Sequence, residues 1–200
     1  MGALNALVLS SLETVLQGPA AAALRRLSLL PVLLLRTLSY GLVLLGTGRV
    51  VGMVIAEAGG EIYRYVGDEI IVTWPLAPGA RDGAYVACLF AIEDALARKR
   101  GDYLRACATE PRLRGALNAG TLVVGEMGDL KREIVMLGDT MNTTARGEEV
   151  CKTRGRDFIA SEAALRAVGA LPPGVRAEPL GKIALRGKEG EVRLFPLTRA

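Results

Sequence analysis

The sequence predicts a domain that contains both β-strands and α-helices, preceded by a long apolar segment. Two observations within residues 57–200 indicate the mixed class: short runs of β-branched and aromatic residues are separated by glycine turns, and two other stretches have helical periodicity. A third observation is that residues 1–56 differ in composition from the rest of the chain. No acidic residue occurs there between Glu13 and Glu57, and Leu, Val and Ala dominate.

The composition limits the chemistry that the chain can perform. Its 200 residues contain no histidine, which excludes Ser-His-Asp triads, histidine general bases and histidine metal ligands. The three cysteines are odd in number and lack a CxxC pair, so we expect a reducing compartment and neither a disulfide scaffold nor a zinc ribbon. The net charge of +4 is mild and aromatic residues are sparse, so we expect no nucleic-acid partner.

The apolar segment has three interpretations that the sequence leaves open. A membrane span needs about 20 apolar residues, whereas the longest uncharged run, Thr37–Gly48, is bounded by Arg36 and Arg49. An arginine at the bilayer centre costs roughly 2–3.5 kcal/mol. The segment is therefore a short transmembrane helix around Leu38–Ala56 with flanking arginines on the cytoplasmic side, an interfacial amphipathic anchor, or a buried apolar helix.

A predicted β-hairpin spans Gly59–Trp74. Strand-forming residues flank the pair Gly67-Asp68, which favours a tight turn. The turn carries two carboxylates, Asp68 and Glu69. A carboxylate on a rigid hairpin tip suits a hard cation such as Mg²⁺, although Gly-Asp is also ordinary turn chemistry.

Further predicted elements fill the rest of the domain. They are a helix over Arg81–Arg100, strands over Leu113–Gly125 and Glu133–Leu137, a helix over about Gly138–Lys152 with Asp139 or Thr140 as N-cap, and the short elements Phe158–Ala160, Ser161–Val168, Val175–Leu185 and Val192–Leu197. In the second helix, the i, i+4 spacing places Asn142 and Arg146 on one face. An amide beside a guanidinium suits ribose and phosphate oxygens, or forms an ordinary solvated face.

Residues 57–200 resemble the catalytic domain of class III adenylate/guanylate cyclases. Three blocks carry the resemblance: GGEIYRYVGDEIIVTW, LRGALNAGTLVVGEMGDLKREIVMLGDTMNTTAR and LRGKEGEVRLFPL. The resemblance implies an α+β fold, namely a ferredoxin-like cyclase sandwich with a mostly antiparallel sheet and helices on one face, preceded here by apolar helices. It is strongest to bacterial members with an amino-terminal membrane region, which implies a domain on the cytoplasmic side of the cell membrane; the alternative is a cytoplasmic protein.

The resemblance also implies an activity. The family converts a nucleoside triphosphate to the 3′,5′-cyclic monophosphate and pyrophosphate, with two Mg²⁺ or Mn²⁺ ions, between two domains of a dimer. We expect ATP as the substrate, GTP being the less favoured one, and a homodimer or a heterodimer with another cyclase domain. Asp68 matches a metal aspartate, Asn142 the asparagine that orients the ribose, and Arg146 the arginine that stabilises the transition state.

Three further positions match substrate-binding residues of the family. Arg64 falls where adenylate cyclases usually carry the purine-selecting lysine, and Val135 lies at the second purine-contacting position. Lys188, or its neighbour Arg186, lies near the phosphate-binding lysine of the carboxy-terminal part.

The sequence departs from the family pattern ahead of the hairpin. The family's first strand carries the other metal aspartate, and the acid-free stretch before Glu57 contains no match for it. We therefore expect the domain to lack its first strand, with the following helix absent or reduced to Gly48–Ala58, and activity would need some other carboxylate, such as Glu57 or Glu69, in place of the missing ligand. Gly147, where the family usually has a bulky apolar residue, costs about 1 kcal/mol of helix propensity.

These departures leave three functional interpretations open. The first is a membrane-linked class III cyclase that is active, or was so recently and is now impaired. The second is a non-catalytic module that dimerises with an intact cyclase and donates Asn142 and Arg146 to its partner's site. The third is a truncated relic without a function of its own.

Overall fold

The structure, a computed structural model, describes residues 3–10, 46–66, 69–76, 83–108, 110–184 and 190–200; of 3–10, Cys107 and Ala184 it describes the backbone alone. In chain order the elements are β1 (Ala3–Ser10), α1 (46–57), β2 (Glu61–Val66), β3 (Glu69–Pro75), α2 (Ala84–Arg98), α3 (Arg100–Cys107), β4 (Arg114–Thr121), β5 (Val123–Met127), β6 (Glu133–Leu137), α4 (Asp139–Arg154), β7 (Phe158–Ser161), α5 (Glu162–Val168), β8 (Val175–Ala177), β9 (Gly181–Ala184) and β10 (Glu191–Arg199).

One mixed sheet organises the domain. Its strand order is β2-β3-β1-β4-β7-β10-β8, and β9 pairs with β10. The β4–β7 pair is parallel and the other described pairs are antiparallel, so the prediction of a mostly antiparallel sheet is confirmed. Strands β5 and β6 form a separate hairpin, from Val123↔Leu137 to Met127↔Glu133.

The larger hydrophobic core covers one face of the sheet. Helices α1, α2 and α5 pack there against side chains of β3, β4, β7 and β10, and the core includes Val51, Ile55, Val86, Leu89, Phe90, Val72, Trp74, Leu117, Phe158, Ala160, Ala164 and Leu197. Phe158 and Ala160 alternate with Ile159, which faces the other side of β7.

Helix α4 lies on the opposite face of the sheet. Val150 and Cys151 of α4 pack with Ile159 and Leu194, which belong to the second, smaller core. The prediction that the helices lie on one face is therefore wrong for α4. Gly147 has a packing reason, since a Cβ atom there would lie 3.0 Å from the Cβ atom of Ala116 on β4.

Strand β1 fills the gap that the sequence predicts. Residues 3–10 pair antiparallel with β3, from Leu4↔Pro75 to Ser10↔Glu69, and with β4, from Ala3↔Thr121 to Ser10↔Arg114. The predictions of apolar helices ahead of the domain and of a missing strand are wrong for these residues. A mostly apolar run of this length fits a helix or a strand in the middle of a covered sheet equally well, and here the backbone pairing on both sides shows the strand.

Helix α1 is part of the domain rather than a separate element before it. Val51 and Ile55 are buried in the larger core, so the described end of the apolar segment agrees with the interpretation as a buried helix. None of the helices in the described part of the chain has the length and apolarity needed to cross a membrane. Most of the apolar segment, residues 11–45, lies outside the described residues.

Candidate functional site

Helix α4 carries two of the predicted site residues, and its first turn is fixed to the sheet by threonines. The N-cap is Gly138, with no side-chain cap, so the prediction of Asp139 or Thr140 as N-cap is wrong. Instead, the Thr140 hydroxyl donates to the Thr121 carbonyl at 3.0 Å, and the Thr144 hydroxyl donates to the Thr140 carbonyl at 2.7 Å. A side chain at Gly120 would collide with the Thr140 hydroxyl, so glycine permits this close approach.

A buried polar network extends this attachment. The Asn118 amide nitrogen donates to the Thr140 carbonyl at 3.3 Å, and its oxygen accepts from the Ser161 hydroxyl at 2.6 Å. The Ser161 oxygen also accepts from the Ala164 backbone N–H at 3.1 Å and so caps α5. Because a buried polar group without a partner costs about 1–3 kcal/mol, the network fixes the start of α4 relative to β4 and β7.

Asn142 and Arg146 lie on the part of α4 that faces away from β4. Asn142 is exposed and Arg146 is half-buried. The buried residues of α4 are Thr140, Thr143, Thr144, Gly147, Glu148, Val150 and Cys151. Neither the Asn142 nor the Arg146 side chain bonds to another residue that the structure describes. The predicted pair is therefore on one face, as the spacing indicated, and both side chains are accessible to a ligand or to a second chain.

Strand β2 places Arg64 against the β5–β6 hairpin. The register of β2 with β3 shifts between Ile62 and Arg64, which marks a bulge. A bulge of this kind turns two successive side chains in similar directions. Both Tyr63 and Arg64 accordingly contact β6: the Tyr63 hydroxyl bonds to the backbone of β6, and Arg64 Nη2 lies 2.9 Å from Glu133 Oε2.

Val135 lies on the same strand, β6, as the partners of Tyr63 and Arg64. It is half-buried and pairs with Gly125. The Tyr63 hydroxyl donates to the Ile134 carbonyl at 3.1 Å and accepts from the Met136 N–H at 3.0 Å, so its partners flank Val135 on both sides. The structure therefore brings the strands of the two predicted purine-binding residues into direct contact.

Two predicted site residues fall on parts of the chain that the structure does not describe. They are Asp68, the predicted metal ligand, and Lys188, with its neighbour Arg186. Of the predicted replacement ligands, Glu57 is exposed at the end of α1, and Glu69 opens β3 opposite Ser10. Within the described ranges, no group of three or more Asp, Glu, His or Cys residues could hold a metal ion.

A charged cleft lies between α2, residues 110–113 and the end of β10, and none of the predicted site residues lines it. There the Arg199 guanidinium bonds both oxygens of Asp94 at 2.7 Å and the Phe90 carbonyl at 2.8 Å. The bond to Arg199 lowers the pKa of the Asp94 carboxyl, whereas burial raises the pKa of Glu93 beside it. The second arginine that lines the cleft, Arg112, is paired with Asp157. Because both arginines are already paired, this cleft is not the candidate site.

Sequence reasoning missed Glu133 and Tyr63. One signal for Glu133 was present, since residues i and i+2 of a strand share a face, and Glu133 precedes Val135 by two. Tyr63 had no comparable signal, because the bulge that turns it toward β6 depends on the register of β2 with β3.

The sequence is similar to those of known adenylate cyclases. No profile of a known protein family matches the chain. Over 144 residues, 72% of the chain, the sequence is 38% identical to adenylate cyclase 2 of Rhizobium meliloti (strain 1021), and the match covers 39% of that protein. The chain thus spans about two fifths of the length of this curated relative.

Solved cyclase structures share the fold. The adenylyl cyclase CyaB from P. aeruginosa superposes with a TM-score of 0.73 at 16% identity, over 100% of this chain and 95% of that chain. The guanylate cyclase domain of RhGC from Catenaria anguillulae, in complex with GTP, gives a TM-score of 0.69 at 16% identity, over 99% and 97% of the two chains. The chain therefore has the fold of a nucleotide cyclase catalytic domain, and the resemblance to class III adenylate/guanylate cyclases is supported by both sequence and structure.

Proposed function

We propose that the chain is a class III nucleotide cyclase domain that converts ATP to 3′,5′-cyclic AMP and pyrophosphate at a dimer interface. The observation that carries the proposal is the outer face of α4, where Asn142 and Arg146 are accessible and bond to no other described residue. The sequence similarity to an adenylate cyclase favours ATP over GTP.

The two residues of α4 suit distinct parts of a nucleotide. The guanidinium of Arg146 remains charged at any working pH and donates up to two parallel hydrogen bonds, so it would stabilise charge that develops on the transferred phosphoryl group. The amide of Asn142, one helical turn earlier, would orient the ribose. Arg64 on β2 would contact the purine, and Lys188 the polyphosphate.

Association with a second cyclase domain is part of the proposal. The β5–β6 hairpin exposes a set of large apolar side chains, each about half exposed or more: Val123, Val124, Met127, Leu130, Ile134 and Leu137. Exposed apolar surface of this kind is typical of interaction sites. This apolar surface of the β5–β6 hairpin would fit the interface of a homodimer or of a heterodimer.

Asp68 is the residue that would bind Mg²⁺ or Mn²⁺. When bound, such an ion lowers the pKa of a coordinated hydroxyl and neutralises triphosphate charge. Strand β1 holds the place in the sheet beside β3, and its residues Ala3–Ser10 include no carboxylate. A second metal ligand would therefore come from outside β1, for example from Glu57, Glu69 or another chain.

The acid-free β1 also supports the second candidate function, a module that completes the site of an intact cyclase. In that arrangement the partner provides both metal aspartates, and this chain provides Asn142 and Arg146. A relic is the least supported interpretation, because β1 closes the sheet between β3 and β4. Attachment to the cytoplasmic side of a membrane through the apolar segment 1–56, of which residues 11–45 lie outside the described residues, stays a sequence-based proposal; the alternative is a cytoplasmic protein.

Cyclic nucleotide production by the purified full chain tests the first function. With Mn²⁺ and ATP, we expect cyclic AMP from the wild type, none from Asp68→Ala or Arg146→Ala, and wild-type activity from Arg154→Ala, which removes an exposed arginine from the last turn of the same helix. A folded wild type that forms no product from ATP or GTP would rule out the homodimeric enzyme.

A mixed dimer tests the second function. The chain is combined with a cyclase domain that has intact metal aspartates but an inactivating substitution of its own α4 arginine. Restored activity with the wild type, and none with Arg146→Ala, would identify a helper subunit. No restoration with either would exclude it.

A further inference from the structure

We propose that Glu133 is a positioning residue for nucleobase recognition: it holds the guanidinium of Arg64 in the orientation in which Arg64 donates to the purine. This inference rests on the proposed function and assigns a part of its site that the resemblance to cyclases leaves unexplained. Arg64 stands where the family usually carries a lysine, and the ion pair with Glu133 gives a physical reason why an arginine works there.

The contact itself joins two strands that are distant in sequence. Arg64 Nη2 lies 2.9 Å from Glu133 Oε2, and both side chains are 41% exposed, so a ligand can reach them. The other carboxylate oxygen, Oε1, lies 2.6 Å from Lys131 Nζ. The hydrogen bond from Lys131 and the charges of Lys131 and Arg64 lower the pKa of the Glu133 carboxyl, which is therefore ionised at neutral pH.

Tyr63 completes the support of the guanidinium. Its hydroxyl fixes β6 to β2 through Ile134 and Met136, and its ring centroid lies 5.3 Å from Arg64 Cζ, within cation–π range. The guanidinium is thus held by a carboxylate at Nη2 and by the ring of Tyr63. Its remaining N–H groups, which bond to no other described residue, are the candidate donors to a base.

The chemistry of arginine makes this support necessary. A lysine ammonium is a compact charge whose three donors rotate freely, whereas a guanidinium is planar and donates only in its own plane. An arginine at the purine position is useful only when that plane is fixed. Val135 offers the purine no side-chain hydrogen bond, so Arg64 would be the main side-chain donor from these strands.

An ion pair with a purely structural role would behave differently. Exposed pairs contribute little to folding stability, and Tyr63 already joins β2 to β6. If Glu133 only stabilised the hairpin, its removal would alter the melting temperature slightly and leave nucleotide selectivity unchanged. A positioning role instead affects the affinity for the base and leaves phosphate binding unchanged.

The test is calorimetric binding with the purified full chain in the presence of Mn²⁺, supplemented by KM and kcat where turnover is measurable. For Glu133→Gln we expect the Kd for ATP to rise about tenfold, which corresponds to the loss of one charge-assisted hydrogen bond. The Kd for inorganic triphosphate and kcat should both be unchanged. The matched control is Glu126→Gln, on the same hairpin. Glu126 pairs with Arg132 at 3.8 Å and is not in contact with Arg64.

A second background makes the test specific to arginine. In Arg64→Lys, adding Glu133→Gln should leave the Kd for ATP unchanged, because an ammonium needs no fixed plane. Wild-type ATP affinity in Glu133→Gln, an equal loss of ATP and triphosphate affinity, or the same tenfold loss in the Arg64→Lys background would each overturn the inference.

The outcome for the wild type separates this inference from the proposed function. A wild type that binds neither ATP nor triphosphate would refute both. A wild type that binds ATP but forms no product would refute the homodimeric enzyme, while the binding comparison of Glu133→Gln with its control would still decide the role of Glu133.

Discussion

Replacing Gly147 by alanine is expected to destabilise the fold, although alanine is the better helix former. The new Cβ atom would lie 3.0 Å from the Cβ atom of Ala116, whereas two carbon atoms prefer a separation of about 3.5–4.0 Å. Ala116 is buried on β4, which is held between β1 and β7. Since β4 cannot yield, α4 would have to shift, and Arg146 would shift with it.

The magnitude follows from two opposing effects. Alanine in place of glycine in a helix gains about 1 kcal/mol, and overpacking a close contact costs about 1–3 kcal/mol. The expected net change at Gly147 is a destabilisation of about 0–2 kcal/mol. Gly52 in α1 is the matched control, because a Cβ atom there would meet Ile62 Cδ1 at 3.6 Å, an ordinary contact. Gly52→Ala should therefore stabilise the chain by about 0.5–1 kcal/mol.

Urea unfolding measures both changes. The chain has one tryptophan, Trp74, which is buried in the larger core, so its fluorescence reports loss of that core. We expect a lower midpoint for Gly147→Ala and a higher one for Gly52→Ala. If Gly147→Ala and Gly52→Ala both unfold at a higher urea concentration than the wild type, with similar midpoints, then α4 has room for a methyl group against β4 and the predicted clash is refuted.

Three further predictions concern polar groups: one buried amide, one paired carboxylate and one carboxylate that is only partly buried. Asn118→Ala should lower the free energy of unfolding by about 1–3 kcal/mol, because it removes two buried hydrogen bonds, one to the Thr140 carbonyl and one from the Ser161 hydroxyl; a loss below about 0.5 kcal/mol in urea would contradict the network. The bond from Arg199 lowers the pKa of the Asp94 carboxyl, so the ion pair stabilises the fold at neutral pH and this contribution is lost as the pH falls below about 4. The melting temperature of Asp94→Asn should therefore lie below that of the wild type at neutral pH, and the difference should shrink on acidification. For Glu93, burial raises the pKa, so the charged form is disfavoured in the fold, and Glu93→Gln should stabilise at pH 7 but not in acid. Differences that are constant with pH would contradict both.

Local patterns were sufficient for the elements whose signals are local. The β2–β3 hairpin and helices α2 and α4 have periodicity and turn residues of their own, and the structure has them close to the predicted positions. Strand β1 has no such signal. Its sequence, ALNALVLS, fits a helix or a strand, and only pairing with residues 69–75 and 114–121 distinguishes them.

For the candidate site too, the positions set by local spacing were predictable and the contacts between distant segments were not. The spacing of Asn142 and Arg146 within one helix determined their common face. The partner of Arg64 could not be read from spacing, because Glu133 is brought to it by a bulge and by the packing of a separate hairpin. The side of the sheet on which α4 lies was also hidden, since it shows only in the packing of Val150 and Cys151 with Ile159 and Leu194 of β7 and β10.

The central position of β1 determines the order in which the sheet can be completed. β1 separates β3 from β4, so neither of these strands has both neighbours until residues 3–10 have been joined to segments far along the chain. Pairings between such distant segments form slowly, because the loop-closure entropy is lost before the contacts are gained. During synthesis, β2 and β3 can pair as soon as they emerge, whereas the middle of the sheet must wait for residue 121. The edge of β1 that pairs with β4 stays open during that interval, which is when this chain would be most prone to pair with another copy of itself.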